Sequence, residues 1–308
     1  APRLPAGRAG DPRTVWALPE ALPQLLEAAE ALDAARADRV LVLAGSELPL
    51  SEALGRGPAL ARLSRRFGRI LYQTKDVALE PVRLAPMGLS WGYMLPVLRE
   101  WSSAGAAGVD RSLAELSQSL AAGALGKSRG VLAAWGRRAG WLEEPGTAAH
   151  AQQLAEAGRF HPPTNSSPRA VEAAFRSRYQ LRAWVATPAA RRAAVELRHL
   201  TPAAWWRELP KYRFLLSPMG SAIQTAKSVE ALLVLTVPIV QRMAFSAYDE
   251  LVGIGFPLVI VESWGEVTPN STHSWWQALA PRLEGFRRNC LTADGYWRMY
   301  IGDATYCE

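Results

Sequence analysis

The stretch from Tyr212 to Val240 leaves few ways to fold. Tyr212 to Leu216 (YRFLL) is an apolar run of strand length, and Ser217-Pro218-Met219-Gly220 is turn chemistry. Ser221 to Leu235 has the spacing of a helix, and Val237 to Val240 is a second apolar run. Strand, helix and strand in so short a span close as a crossover between parallel neighbours. The sequence therefore predicts one βαβ unit with a parallel sheet around it.

The rest of the chain alternates in the same way. A helix is predicted over Leu22 to Arg36, a strand over Arg39 to Gly45, a helix over Ala59 to Phe67 and a strand over Arg69 to Tyr72. Turns follow at Pro81 and Pro86-Met87-Gly88. Leu113 to Ala124 reads as a helix, and Gly130 to Trp135 as the first strand of a second sheet. Phe160 to Pro168 reads as an exposed loop and Arg169 to Tyr179 as a basic helix. A strand is predicted at Pro257 to Glu262 and an amphipathic helix over Thr272 to Arg288, with a terminal segment carrying Trp297 and Tyr300 folding back over the body. The expected architecture is α/β, with two Rossmann-like domains over residues 1–126 and 127–308 whose parallel sheets face a cleft.

Composition narrows the function. With 308 residues, 49% of them apolar and 20% charged, the chain can bury a substantial core. The net charge of +7 admits an anionic partner. Its basic residues are spread out, and Lys75, Lys127, Lys211 and Lys227 are the only lysines, so no nucleic-acid surface is expected. Ala231 to Val240 is about half the length of a membrane span and is flanked by Glu230 and Arg242. The chain begins at Ala1 without a signal-like segment, which leaves open a membrane anchor outside it. The histidines 150, 161, 199 and 273 show no metal-ligand spacing, and neither Gly-x-Ser-x-Gly nor a Walker loop occurs. No metal or cofactor is expected. Cys290 and Cys307 either close one disulfide or are two buried thiols; Asn165-Ser166-Ser167 and Asn270-Ser271-Thr272 are N-glycan acceptor triplets or chance matches.

A strand ending in Ser217-Pro218-Met219-Gly220 and opening into a helix would present free backbone N–H groups and a positive dipole end. That is a phosphate site. Gly220 permits close approach, Ser217 or Ser221 can bond an oxygen, and Lys227 adds positive charge. Glu230, three residues on, could accept hydrogen bonds from ribose hydroxyls. The bland alternative is an exposed helical pair, Lys227 with Glu230, after a strand-ending turn.

YRFLLSPMGSAIQTAKSVEALLVLTVPIV followed by PLVIVESWGEV resembles the signature of exostosin-like glycosyltransferases. In that family a strand leads into Ser-Pro-Arg-Gly, then a helix with a basic residue and Trp-Glu-Ala-Leu, a Pro-Ile-Val strand, and a strand ending near an acidic-Trp pair. Weaker similarity lies in LYQTKDVALEPVRLAPMGLSWG, so the likeness runs from Leu71 to Val267. It implies a GT-B-like fold, a nucleoside diphosphate sugar as donor substrate, a carbohydrate acceptor entering between domains, and the secretory pathway, with the Golgi lumen as the compartment. The matched donor-binding positions are Ser217, Gly220, Lys227 and Glu230, with Glu262 and Trp264 as a looser acidic-Trp match. Met219, Ala222, Gln224, Ala226 and Val229 depart from the pattern, replacing arginine, glycine, an acid, histidine and tryptophan. Asp76 and Glu262 are the carboxylates available as a catalytic base. The departures keep two alternatives in view: a catalytically degenerate member that binds a glycan, nucleotide sugar or protein without turnover, and a polyanion-binding protein of similar architecture.

Overall fold

Two all-parallel sheets form the frame. The computed structural model describes residues 12–32, 36–55, 58–89, 117–123, 126–134, 168–220 and 223–307. The first sheet has the order β1 (Thr14–Ala17), β2 (Arg36–Leu43), β3 (Phe67–Tyr72) and β4 (Val82–Leu84). Between its strands lie α1 (Leu22–Glu30), α2 (Leu50–Ala53) and α3 (Ala59–Ser64). Leu25 and Ala29 of α1 and Leu63 of α3 bury against Leu41, Leu43, Ile70 and Tyr72, the one-sided stripe that makes such helices fold onto a sheet.

Residues 117–123 form α4, and the second sheet then begins at β5 (Arg129–Ala133). Helices α5 (Pro168–Val185) and α6 (Pro188–Arg192), strand β6 (Val195–Leu197) and helix α7 (Pro202–Glu208) precede β7 (Tyr212–Leu216). The chain continues through α8 (Ala226–Leu233), β8 (Val237–Gln241), α9 (Ala247–Gly253) and β9 (Val259–Val261). It ends in α10 (Pro269–Cys290) and α11 (Ala293–Ile301). The strand order is β6-β5-β7-β8-β9. Its inner strands β7 and β8 are buried on both faces over most of their length, as parallel sheets require, while edge strand β6 leaves Leu197 exposed. Trp275 and Trp276 of α10 meet Phe214 edge to face, with ring centroids 6.5 and 5.8 Å apart. No described helix is long and apolar enough to cross a membrane.

Alternating strands and helices were legible in the sequence; most of their ends were not. Helix α1 stops at Glu30 because β2 already takes up Arg36, and Phe67 belongs to β3, where it is buried, rather than to α3. The basic helix extends from Pro168 to Val185, with proline in its first turn where a missing N–H costs no helical bond. Strands β1, β4 and β6, of three or four residues, were too short to stand out. Of the expected loop from Phe160 to Pro168, residues 160–167 lie outside the described residues and Pro168 opens α5 instead; residues 113–116 and 124 of the expected Leu113 to Ala124 helix also lie outside them.

The carboxyl ends of the two sheets meet. Gln73 and Lys75 follow β3 and Ala85 to Met87 follow β4; their partners Gln224 and Glu250 follow β7 and β8. The Gln224 amide is buried and donates to the Gln73 and Ala85 carbonyls at 2.7 and 3.0 Å, while its oxygen accepts from the Met87 N–H at 2.8 Å. Glu250 accepts from Lys75 Nζ at 2.6 Å and from the Leu84 N–H at 3.0 Å. Helix α11 then crosses onto the first sheet, as the aromatic end of the sequence suggested. Tyr300 packs with Val40, Val42 and Leu71, and the Tyr296 and Tyr300 hydroxyls each donate to a carbonyl, of Met87 and Pro86, at 2.8 Å. Cys290 and Cys307 are joined by a disulfide that brackets this helix.

Candidate functional site

The second sheet has one place where its connections part. From β5 the chain moves outward to β6, whereas from the adjacent β7 it moves the other way to β8. Strand ends that diverge like this leave a crevice at the carboxyl edge, the usual ligand position in open α/β sheets. By strand order, the position for such a crevice in this sheet is between Ala134, just past β5, and the turn Ser217 to Gly220, just past β7.

Lys227, on the first turn of α8, reaches this point. Its Nζ lies 3.3 Å from the Ala134 carbonyl and 5.0 Å from the centre of the Trp205 ring on α7. Burial lowers its pKa to about 8, with nearby Arg178 lowering it further and Glu230 opposing the shift. The ammonium is thus a poorly hydrated cation at the crevice, able to gain from an incoming anion.

Glu230 sits one turn on and is buried. One carboxylate oxygen accepts from Trp205 Nε1 at 2.9 Å. Burial raises its pKa, and Lys227 and the Trp205 bond pull it down. Trp205 therefore connects the two charged groups, with its ring face towards Lys227 and its N–H on Glu230. The two are a tryptophan-linked pair, Glu230 buried and Lys227 half-buried, rather than an exposed helical one.

The turn differs from expectation. Helix α8 begins at Ala226, with Thr225 as its N-cap residue, rather than at Ser221, so Gly220 is not the junction between strand and helix. The cause is tertiary: Ile223 is fully buried and Gln224 is bound to the first sheet, which holds residues 223–225 as a connector. Gly220 is half-buried at the crevice, and Ser221 lies outside the described residues. Ser217 is buried, with its hydroxyl 2.9 Å from Thr225 Oγ1 and 3.1 Å from Ser228 Oγ. It ties the turn to the start of α8.

Glu262 and Trp264 do not join Lys227 and Glu230. They follow β9, two strands from β7 and so roughly 10 Å across the sheet. Glu262 is exposed and accepts from Arg242 Nε at 2.5 Å; the same arginine holds Asp249. Trp264 is 2% exposed, and its indole N–H donates to the Ser177 carbonyl at 3.2 Å. Buried beneath α5, it offers no ring face to a ligand. Asp76 lies beyond β3 of the first sheet, buried, with its carboxylate receiving the Ser51 N–H at 3.0 Å and hydroxyl at 2.6 Å. That is the capping of α2, which leaves Asp76 poorly placed to serve as a base.

Sequence reasoning missed Arg178. It extends from α5 to the turn, where its Nε donates to the Met219 carbonyl at 2.8 Å. The Met219 side chain is buried, so the cation beside this turn comes from a different helix. No local pattern marks Arg178, because its position depends on how α5 packs over the sheet. Among the described residues, no cluster of three or more His, Cys, Asp or Glu side chains could hold a metal ion.

No known protein-family model matches the chain. A search of curated proteins likewise returned no match.

Proposed function

We propose that this chain binds a nucleoside diphosphate sugar over the carboxyl ends of β5 and β7 and transfers the sugar to a carbohydrate or glycoprotein acceptor. In this reading the two sheets are the halves of a GT-B-like enzyme, and the acceptor enters where their carboxyl edges meet. The observation that carries it is the position of Lys227 at the diverging strand ends, with Glu230 one turn beyond. Lys227 and Arg178 would hold the diphosphate and stabilise the charge that develops on it as the bond to the sugar breaks. Glu230 would accept hydrogen bonds from the ribose hydroxyls. The Cys290–Cys307 disulfide favours an oxidising lumen, in keeping with the secretory pathway and a Golgi setting.

A second reading has its own support. The buried Met219 side chain, the ion-paired Glu262 and the capping role of Asp76 leave the crevice with binding groups and, among the described residues, without an evident base. The same fold would then bind a nucleotide sugar or glycan without turnover.

One experiment separates the readings. Purified protein and a Glu230→Ala variant are screened for binding and hydrolysis of nucleoside diphosphate sugars, with and without candidate acceptors. Binding lost in the variant, together with slow release of the sugar, supports transfer. Binding without turnover supports the second reading, and no binding by folded wild-type protein overturns the donor site.

A further inference from the structure

The first turn of α10 carries Asn270-Ser271-Thr272, the acceptor triplet for an N-linked glycan. Asn270 is exposed at the head of a solvent-facing stripe that continues through His273, Ser274, Gln277 and Ala278. That spacing is one face of a helix. Trp275 and Trp276 turn the other way, onto Phe214. A glycan on Asn270 would therefore extend into water and displace no core contact.

The start of the helix is held by other residues. Thr268 Oγ1 accepts from the Ser271 N–H at 3.1 Å, and Ser271 Oγ accepts from the Thr268 N–H at 2.8 Å while donating to the Glu266 carbonyl at 2.6 Å. The Thr272 hydroxyl donates to the Thr268 carbonyl at 2.8 Å. None of these bonds uses the Asn270 amide, so derivatising it leaves the cap intact. They do fix the backbone and occupy the Thr272 hydroxyl, so an enzyme that must engage both Asn270 and Thr272 has to act before this turn closes.

A separate observation concerns the compartment. Cys290, at the far end of the same helix, is bonded to Cys307. Such bonds persist where the surroundings are oxidising, as in the lumen where N-glycans are added.

We propose that Asn270 carries an N-linked glycan, attached before α10 folds. Asn270 Nδ2 forms a bond to C1 of an oligosaccharide carried on a lipid diphosphate. The bond from C1 to the diphosphate oxygen breaks, the lipid diphosphate leaves, and the amide nitrogen gives up one proton. The inference is independent of the donor crevice.

The test is expression of the chain through the secretory route of a eukaryotic cell, followed by digestion with an amidase that removes N-glycans and converts the acceptor Asn to Asp. Asn165, in the second triplet, lies outside the described residues, so Asn165→Gln serves as the background. In that background one mobility step is expected on digestion, with the residue 270 peptide bearing the Asn-to-Asp mass change. Adding Asn270→Gln or Thr272→Ala is expected to abolish both. Because attachment precedes folding, the readout is taken from cell lysate as well as from secreted protein. No mobility step and an unmodified Asn270 peptide in the Asn165→Gln protein would overturn the proposal.

Discussion

Replacing Gln224 by Leu tests how much of the junction between the two sheets rests on one side chain, beside the Glu250 and α11 contacts. The substitution keeps a similar volume and removes three hydrogen bonds, to the Met87 N–H and the Gln73 and Ala85 carbonyls. A buried donor left without a partner costs about 1–3 kcal/mol. Each carbonyl retains a second lone pair and loses less, about 0.5–1 kcal/mol. The expected destabilisation is thus about 2–5 kcal/mol. With a urea dependence of about 3 kcal/mol/M, the unfolding midpoint falls by about 1 M. Gln224→Glu sharpens the test, since a carboxylate can still accept from Met87 but would face two carbonyl oxygens as an anion. Its folded-state pKa is then raised above the unfolded value of about 4.3, so the penalty is small at lower pH and grows as pH rises through the folded pKa. Urea unfolding at pH 4 and pH 7, followed by tryptophan fluorescence, measures both. A Gln224→Leu midpoint within about 0.2 M of wild type, less than a tenth of the urea range normally scanned, would refute the reasoning.

Two further predictions concern charge and the C-terminal helix. Lys227 has a pKa of about 8 in the free protein and is charged below it, so donor affinity should be highest there and decline as pH rises, by up to about tenfold per unit. The diester-like diphosphate of a nucleotide sugar does not titrate in this range, and Lys227→Arg should bind with little change up to pH 9; isothermal calorimetry across pH 7 to 9.5 checks both, and a flat wild-type profile would remove Lys227 from the site. Cys307→Ser opens a loop with a sequence separation of 17 and should cost about 3 kcal/mol. Hydrogen exchange should then speed up first in Ala293–Ile301, the helix that the disulfide brackets and that rests on the first sheet.

Much of the frame could be read from the chain alone. The strand Tyr212–Leu216 was placed at its observed bounds, and the parallel βαβ unit after it follows from apolar runs too close together for another connection. The pairing of Lys227 with Glu230 on one helix face followed from their spacing, and the aromatic end of the chain does pack back onto the body. These are properties of local period and composition, which a sequence records directly.

What the sequence left undecided depends on groups far apart along the chain. Nothing near Ser221 says that α8 must wait until Ala226; Gln224 is held out of the helix by backbone 137 to 151 residues away. Trp264 and Glu262 read as an acidic-aromatic pair, yet β9 and α5 bury one and leave the other on the surface beside Arg242. Asp76 resembles any free carboxylate until α2 arrives to be capped, and Arg178 enters the crevice because of how its helix lies across the sheet. Hydrophobic period determines which elements form and which face turns inward. Burial, hydrogen bonds across the sheet junction and the shifted pKa of Lys227 arise only when those elements pack, because desolvation and partner geometry belong to the assembled core.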